Sequence, residues 1–285
     1  MTTEAFGTLD SPPAELRFHR RVRFRTSLGE LWRSRELVRT LAERELRARY
    51  KQAILGFAWA VVTPLALTLL LTLVFNRVGR IDISGVPYSL YAYVGLLPWT
   101  FFSTSMSHGG MSLVSNMSLV NRIYCPREVF PVASMVVAGF DMVVSLIPAA
   151  ALFVAFGFAP RATSAWLPVL LPVQVMFTLG CTLFVSGAIV YLRDVRHALP
   201  IVLQLGLFAT PIAYPLDRFI PEQFQWVYAA VNPMAAVVEG YHDTVLLGQP
   251  PDWKLLLAGG ITSVVVFLFG YRLFKRMETG FADVA

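Results

Sequence analysis

The chain has 285 residues, of which 56% are apolar and only 15% are Asp, Glu, Lys or Arg, with a net charge of +6. Mean hydropathy is +0.59, whereas soluble chains carry roughly 25% charged residues, and several apolar blocks here exceed the ~18 residues that mark a membrane span. These values exclude a disordered chain, a secreted disulfide scaffold and an ordinary cytosolic enzyme, and predict an all-α polytopic membrane protein.

The basic excess does not point to nucleic acid. Twelve of the 24 Lys and Arg precede Gln52, interleaved with seven acids, and a basic segment beside a span reads as a cytoplasmic membrane-surface anchor. Residues 1–29 are polar and Arg-rich and contain Pro12-Pro13, as in an irregular cytoplasmic tail. The charged stretch ahead of the first apolar run is too long for the n-region of a cleavable signal peptide. Residues 30–53 lack Gly and Pro and place Leu37, Val38 and Leu41 at helical spacing, which predicts an amphipathic interface helix, although Glu45 and Arg49 interrupt its apolar face. A solvated charged helix is the alternative there.

Residues 54–285 form the expected transmembrane domain, with six spans near 54–75, 88–106 (an extension toward Leu119 being the alternative), 132–158, 165–191, 198–214 and 255–274. A polar stretch, Ser118 to Pro131, separates the second and third spans, and a tight charged turn, Leu192 to His197, separates the fourth and fifth. Pro215 to Trp253 is semi-apolar but broken by Pro221, Asn232-Pro233 and Pro250-Pro251. Its two helix-like pieces, about 10 and 15 residues long, are too short to cross a ~30 Å core. Re-entrant outer half-helices between the fifth and sixth spans are expected, with their ends satisfied by protein or water. With an inward N-terminus, inner segments hold 19 of the Lys and Arg and outer segments five, so both termini should be cytoplasmic.

Signals for catalysis are missing. There is no GxxxxGK[ST] loop, HExxH, CxxC or Gly-x-Ser-x-Gly, and Cys125 and Cys181 are too few for a disulfide framework or a Cys-based metal site. No catalytic residue and no metal ligand is assigned. The outer acids Asp217, Glu222, Glu239, Asp243 and Asp252 are dispersed along the sequence and read as a solvated surface. Asp141 is the one acid well inside a span. Intramembrane charges are costly and point to function, but no basic residue lies deep in any span to pair with it. It is expected to face the bundle as a packing or gating hydrogen-bonder, a direct substrate role being the alternative. Aromatic residues gather near the predicted interfaces, where a belt explains them, or where rings could stack on sugar faces.

The ordered motifs resemble one family. Arg49-Tyr50, Ile54-Leu55-Gly56-Phe57-Ala58-Trp59 and Pro64 look like the start of the first span of ABC-2 type permeases. Leu119 through Pro131 resembles that family's first cytoplasmic loop, and Tyr191-Leu192-Arg193-Asp194-Val195-Arg196-His197 its next one. Thr210 to Pro215, Val231-Asn232-Pro233-Met234 and Met277 to Val284 complete the pattern, with Cys125 standing where the family more often has an aromatic residue. The likeness is greatest to the branch that exports lipid-linked polysaccharides such as O-antigen, teichoic acid or capsule. The resemblance implies a non-catalytic permease of the bacterial cytoplasmic membrane, working as a homodimer with two separate ATPase subunits that bind ATP and Mg. It also implies that Asn121, Arg122, Tyr124, Pro126, Arg127, Glu128, Arg193, Asp194 and Arg196 contact the ATPase. The first and fifth spans would line the channel, so Leu55, Gly56, Phe57, Trp59, Phe208, Tyr214, Trp226 and Tyr228 are assigned to the substrate path. An ABC-2 exporter of drugs or small lipids and a membrane glycosyl- or acyltransferase remain as other readings.

Overall fold

The computed structural model describes residues 24–50, 58–78, 85–120 and 125–278, together with residues 83, 280 and 281. Residues 1–23 and 51–53 and the site candidates Leu55, Gly56, Phe57, Asn121, Arg122 and Tyr124 lie outside the described residues. Among those described, every regular element is helical.

The amphipathic segment is two helices, α1 (Phe24–Arg33) and α2 (Arg35–Tyr50), broken at Ser34, whose hydroxyl donates to the Glu30 carbonyl at 2.9 Å. Residues 24–29, within the stretch expected to be a mostly irregular tail, are helical. Along α2, Arg39–Glu43 (3.0 Å), Arg47–Glu43 (3.5 Å) and Arg49–Glu45 (3.2 Å) are ion pairs one turn apart, a spacing that supports an exposed helix face. Leu41 and Ala42 are buried in a cluster with Phe130, Ala133 and Val137, so the apolar side of α2 is covered by protein.

α3 (Ala58–Leu71) runs on as π-helix through Thr72–Val78. α4 (Tyr88–Thr104) continues through a π-turn, Ser105–Gly109, into α5 (Gly110–Ser115), so that helix runs past Met106 in the direction of Leu119. α6 (Met117–Val120) is one turn. α7 (Val129–Val144) and α8 (Leu146–Ala155) meet at Ser145. A 3-10 turn, Ala162–Trp166, leads into α9 (Leu167–Tyr191), which carries Pro168 in its first turn, where the missing N–H costs no hydrogen bond. α10 (Val195–Ala209), α11 (Leu216–Phe219), α12 (Glu222–Val231), α13 (Pro233–Tyr241) with a π-helical extension His242–Leu247, and α14 (Trp253–Glu278) complete the chain. Gly248, at φ +72°, ends that extension, a backbone setting that glycine adopts without strain.

Among the described residues, three helical stretches, Val129–Ala155, Ala162–Tyr191 and Trp253–Glu278, are long and apolar enough to cross a membrane, and Val61–Phe75 and Val195–Ala209 are shorter apolar helices. α4 is the centre of the bundle: Leu90, Ala92, Tyr93, Val94 and Leu96 are at most 1% exposed. α9 and α14 pack closest of all. A Cβ on Gly270 would stand 2.2 Å from the Gly180 carbonyl oxygen, and one on Gly180 would stand 2.6 Å from the Phe267 Cα. Close approach of this kind is how helices associate where no hydrophobic force separates protein from lipid. The outer sides of the helices remain apolar and bare, with Val143, Ile147, Ile201, Leu205, Ile261 and Phe269 exposed. Apolar surface on that scale marks contact with lipid or another protein.

Candidate functional site

The segment before α7 is fastened to the end of α14. Glu128 is fully buried, and its carboxylate accepts from Lys275 Nζ at 2.7 Å and from Tyr271 Oη at 3.2 Å. Lys275 also pairs with Glu278 at 2.9 Å. The Arg127 backbone N–H donates to Glu278 Oε1 at 3.4 Å, its guanidinium donates to the Glu278 carbonyl, and it stands over the Phe281 ring at 5.5 Å. Burial pushes the Glu128 carboxyl above the usual range, with Lys275 pulling the other way. Burial also raises the Cys125 thiol, which the Arg127 charge partly offsets.

The turn between α9 and α10 joins the same end of the molecule. Tyr191 Oη donates to the Met277 carbonyl at 2.7 Å, and its ring lies 5.8 Å from that of Phe281. Arg193, Asp194 and Arg196 are exposed on this turn, held by Val195 N to Leu192 O at 3.1 Å and His197 N to Asp194 O at 3.0 Å. Pro126, Arg127, Glu128 and the Arg193–Arg196 turn are therefore brought together through Met277–Phe281. Glu128 differs from the others in lying beneath the surface, where it can hold the segment but not touch a partner. Lys275 and Glu278 are the additions the sequence left out. They sit in an ordinary-looking basic helix end, and only the fold shows that Lys275 meets Glu128 and that Glu278 meets Arg127.

Asp141 has the basic partner that the sequence did not reveal. Arg49 Nη1 donates to Asp141 Oδ2 at 2.6 Å, Tyr50 Oη donates to Asp141 Oδ1, and Arg49 Nη2 reaches Glu45 at 3.2 Å. Glu45 Oε2 in turn accepts from Ser134 Oγ at 2.8 Å. Glu45 and Arg49, which interrupt the apolar face of α2, add polar ties to α7 beside the apolar packing of Leu41 and Ala42. A cavity of about 420 Å³ opens beside them, lined by Arg49, Tyr50, Trp59, Thr63, Thr100, His108 and Asp141. Trp59 is 54% exposed on its wall.

The other described rings of the expected path lie elsewhere. Tyr214 Oη donates to the Phe208 carbonyl at 2.9 Å, and its ring meets Phe219 at 4.7 Å. Tyr228 Oη and Asn232 Nδ2 both reach the Ala209 carbonyl, and Asn232 Nδ2 also reaches Thr210 Oγ1 at 3.0 Å. These donors satisfy carbonyls that the end of α10 leaves without helical partners. Phe208, Tyr214 and Tyr228 thus form one elbow, with Phe208 52% exposed; Trp226 is 55% exposed on α12.

The acids expected on the outer side are not dispersed in space. Asp217, Glu222, Glu239, Asp243 and Asp252 line one cavity of about 1060 Å³, with Arg218 and Lys254 on the same wall. Burial, together with Glu239 and Asp252, lifts the Asp243 carboxyl to about 7. Among the described residues no group of His, Cys, Asp and Glu is arranged to hold a metal ion.

Comparison with known proteins places this architecture. Residues 36–246 match the model of the ABC-2 type transporter family. The chain is similar to the O-antigen export system permease protein RfbA of Myxococcus xanthus, at 32% identity over 89% of this chain and 97% of the relative. It is similar to RfbA of Klebsiella pneumoniae at 25% identity, covering 92% and 99% of the two chains. A third relative is the polysialic acid transport protein KpsM of Escherichia coli, at 24% identity over 85% and 93%. The family model spans most of the helical bundle, from α2 to the π-helical extension of α13, and the chain belongs to the ABC-2 type transporter family of membrane permeases.

Proposed function

We propose that the chain is the permease subunit of an ATP-driven exporter that moves lipid-linked polysaccharide across the bacterial cytoplasmic membrane. The observation that carries this reading is its near-full-length likeness to relatives named as O-antigen export permeases and a polysialic acid transport protein. A homodimer of this chain assembles with two ATPase chains, which bind ATP and Mg, while the permease itself does no bond chemistry. Six spans cross the membrane with both termini in the cytoplasm: α3, α4 with α5, α7 with α8, α9, α10 and α14. The pieces α12 and α13 with its extension, 10 residues and then 9 followed by 6, re-enter the outer leaflet.

Coupling runs through Asn121, Arg122, Tyr124, Pro126 and Arg127 and the turn of Arg193, Asp194 and Arg196, with Glu128 anchoring the first of these segments from below. Short charged turns anchored on helix ends suit this role because rigid elements carry displacement, and hydrolysis must alter the affinity for substrate through some such link. The substrate path runs from Leu55, Gly56, Phe57 and Trp59 to Phe208 and Tyr214, with Trp226 and Tyr228 at the outer exit. Aromatic faces attract sugar rings without the separate deep wells that a hydrogen bond to each hydroxyl would create. The test is ATP hydrolysis by the purified chain alone and by its complex with an ATPase subunit of the same host, in liposomes. The complex should turn over ATP faster when lipid-linked glycan is added, and the chain alone should be silent. ATP turnover or sugar transfer by the chain alone would overturn the reading.

A further inference from the structure

α7 is one unbroken helix from Val129 to Val144, and its two ends are tied to different parts of the molecule. At the start, Glu128 is held by Lys275 and Tyr271, and Arg127 by Glu278. Thirteen residues further on, about 20 Å along the helix axis, Asp141 takes hydrogen bonds from Arg49 and Tyr50. Between them Ser134, two turns before Asp141 on the same face, donates to Glu45. α2 is therefore laddered onto α7 at two levels, and the upper rung falls on its last two residues. Chain direction makes that rung important. The residues after Tyr50 lead into α3, which carries Trp59, Thr63 and Pro64 along the cavity that Arg49, Tyr50 and Asp141 also line.

Stability alone is a poor explanation for this rung. A partly buried ion pair is weak evidence of stabilisation, because an apolar contact of similar shape often does as well. What the polar pair supplies is geometry. The planar guanidinium of Arg49 spans two carboxylates, Asp141 at 2.6 Å and Glu45 at 3.2 Å, and a fork fixed at both tines restricts orientation as well as distance. Tyr50 adds a third direction on the same carboxylate.

We propose that Asp141 is a positioning residue that locks the end of α2 at Arg49 and Tyr50 to α7, so that movement of the segment before α7 reaches the cavity wall at Thr63. This rests on the exporter reading and names the link between its coupling end and its path. The test uses the full chain in complex with its ATPase in lipid nanodiscs, with Cys125→Ser and Cys181→Ser as background and Thr63→Cys as reporter. Maleimide labelling of the reporter is timed without nucleotide and with ATP and vanadate, and glycan-stimulated ATP hydrolysis is measured on the same samples. Asp141→Ala should shrink the nucleotide-dependent change in labelling rate about fivefold or more. The exchange Arg49→Asp with Asp141→Arg should restore most of it, which a side chain needed only for folding would not do. If the Ala variant fails to accumulate, Asp141→Asn is compared with the exchange in the same way. A labelling change that survives in the Asp141 variants, or one lost and not regained by the exchange, overturns the proposal while glycan stimulation of the unsubstituted complex still upholds the exporter. Loss of glycan stimulation from the unsubstituted complex overturns both.

Discussion

A buried charge is informative because of what happens when its partner is removed. Glu128 has no exposed surface, and Lys275 is the cation that meets it. Lys275→Met keeps the length of the side chain but leaves the buried carboxylate without its cation, so the fold should lose about 3–5 kcal/mol. The deficit should depend on pH. Burial already raises the Glu128 carboxyl, and without Lys275 the rise is larger, so the folded state favours the proton. A raised acid is tolerated below its unfolded value, roughly 4.3, and costs stability as pH climbs through the folded one. Thermal unfolding in detergent should therefore show the variant closest to the parent in mild acid and furthest from it at neutral pH. Glu128→Gln in the Lys275→Met background should recover most of the loss and flatten the pH dependence. A Lys275→Met variant as stable as the parent at neutral pH would mean that the pair does not carry the contact between α7 and α14.

Helix packing makes the second prediction. Gly270 faces the Gly180 carbonyl so closely that any Cβ must push α14 away from α9, whereas a Cβ on Gly260, on the same helix, would meet only Val173 at 3.8 Å. Gly270→Ala should cost about 1–3 kcal/mol, as overpacking does, and Gly260→Ala should be neutral or better by helix propensity. Folded yield on size exclusion after heating distinguishes the two, and equal behaviour would contradict the close approach. At this scale the sequence was legible where the signal is local. Apolar length found the helices, and Pro221, Asn232-Pro233 and Pro250-Pro251 marked where the stretch from Pro215 to Trp253 breaks into α12 and α13. Pairings that need the tertiary fold were hidden. Arg49 precedes the first span and Asp141 lies 92 residues away, so no window over the sequence joins them; the only trace was two charged residues spoiling the apolar face of α2. The five outer acids are another case, spread over 36 residues of sequence and gathered onto one cavity by the fold.

For the whole molecule, the two ends of the bundle should meet different solvents, and the outer helices should meet neither freely. α12 presents Phe224, Trp226 and Val231 on its bare side, Val231 at 80% exposure, while α13 is buried among α4, α9 and α14. In water, such a face on α12 would favour aggregation; in the exporter reading it meets lipid or the second permease of the dimer. Single cysteines in a Cys125→Ser, Cys181→Ser background separate these cases in intact cells with a membrane-impermeant maleimide. Positions 218 and 249, both exposed beside the acidic cavity, should label quickly from outside. Position 193, on the turn between α9 and α10, should label only after the cells are opened, because the Lys/Arg bias puts that turn in the cytoplasm. Positions 226 and 231 should label slowly under both conditions despite their exposure in the isolated chain, since maleimide needs the thiolate and an apolar surround suppresses it. Fast outside labelling at 226 and 231 would make α12 a free outer helix, and outside labelling at 193 would invert the topology.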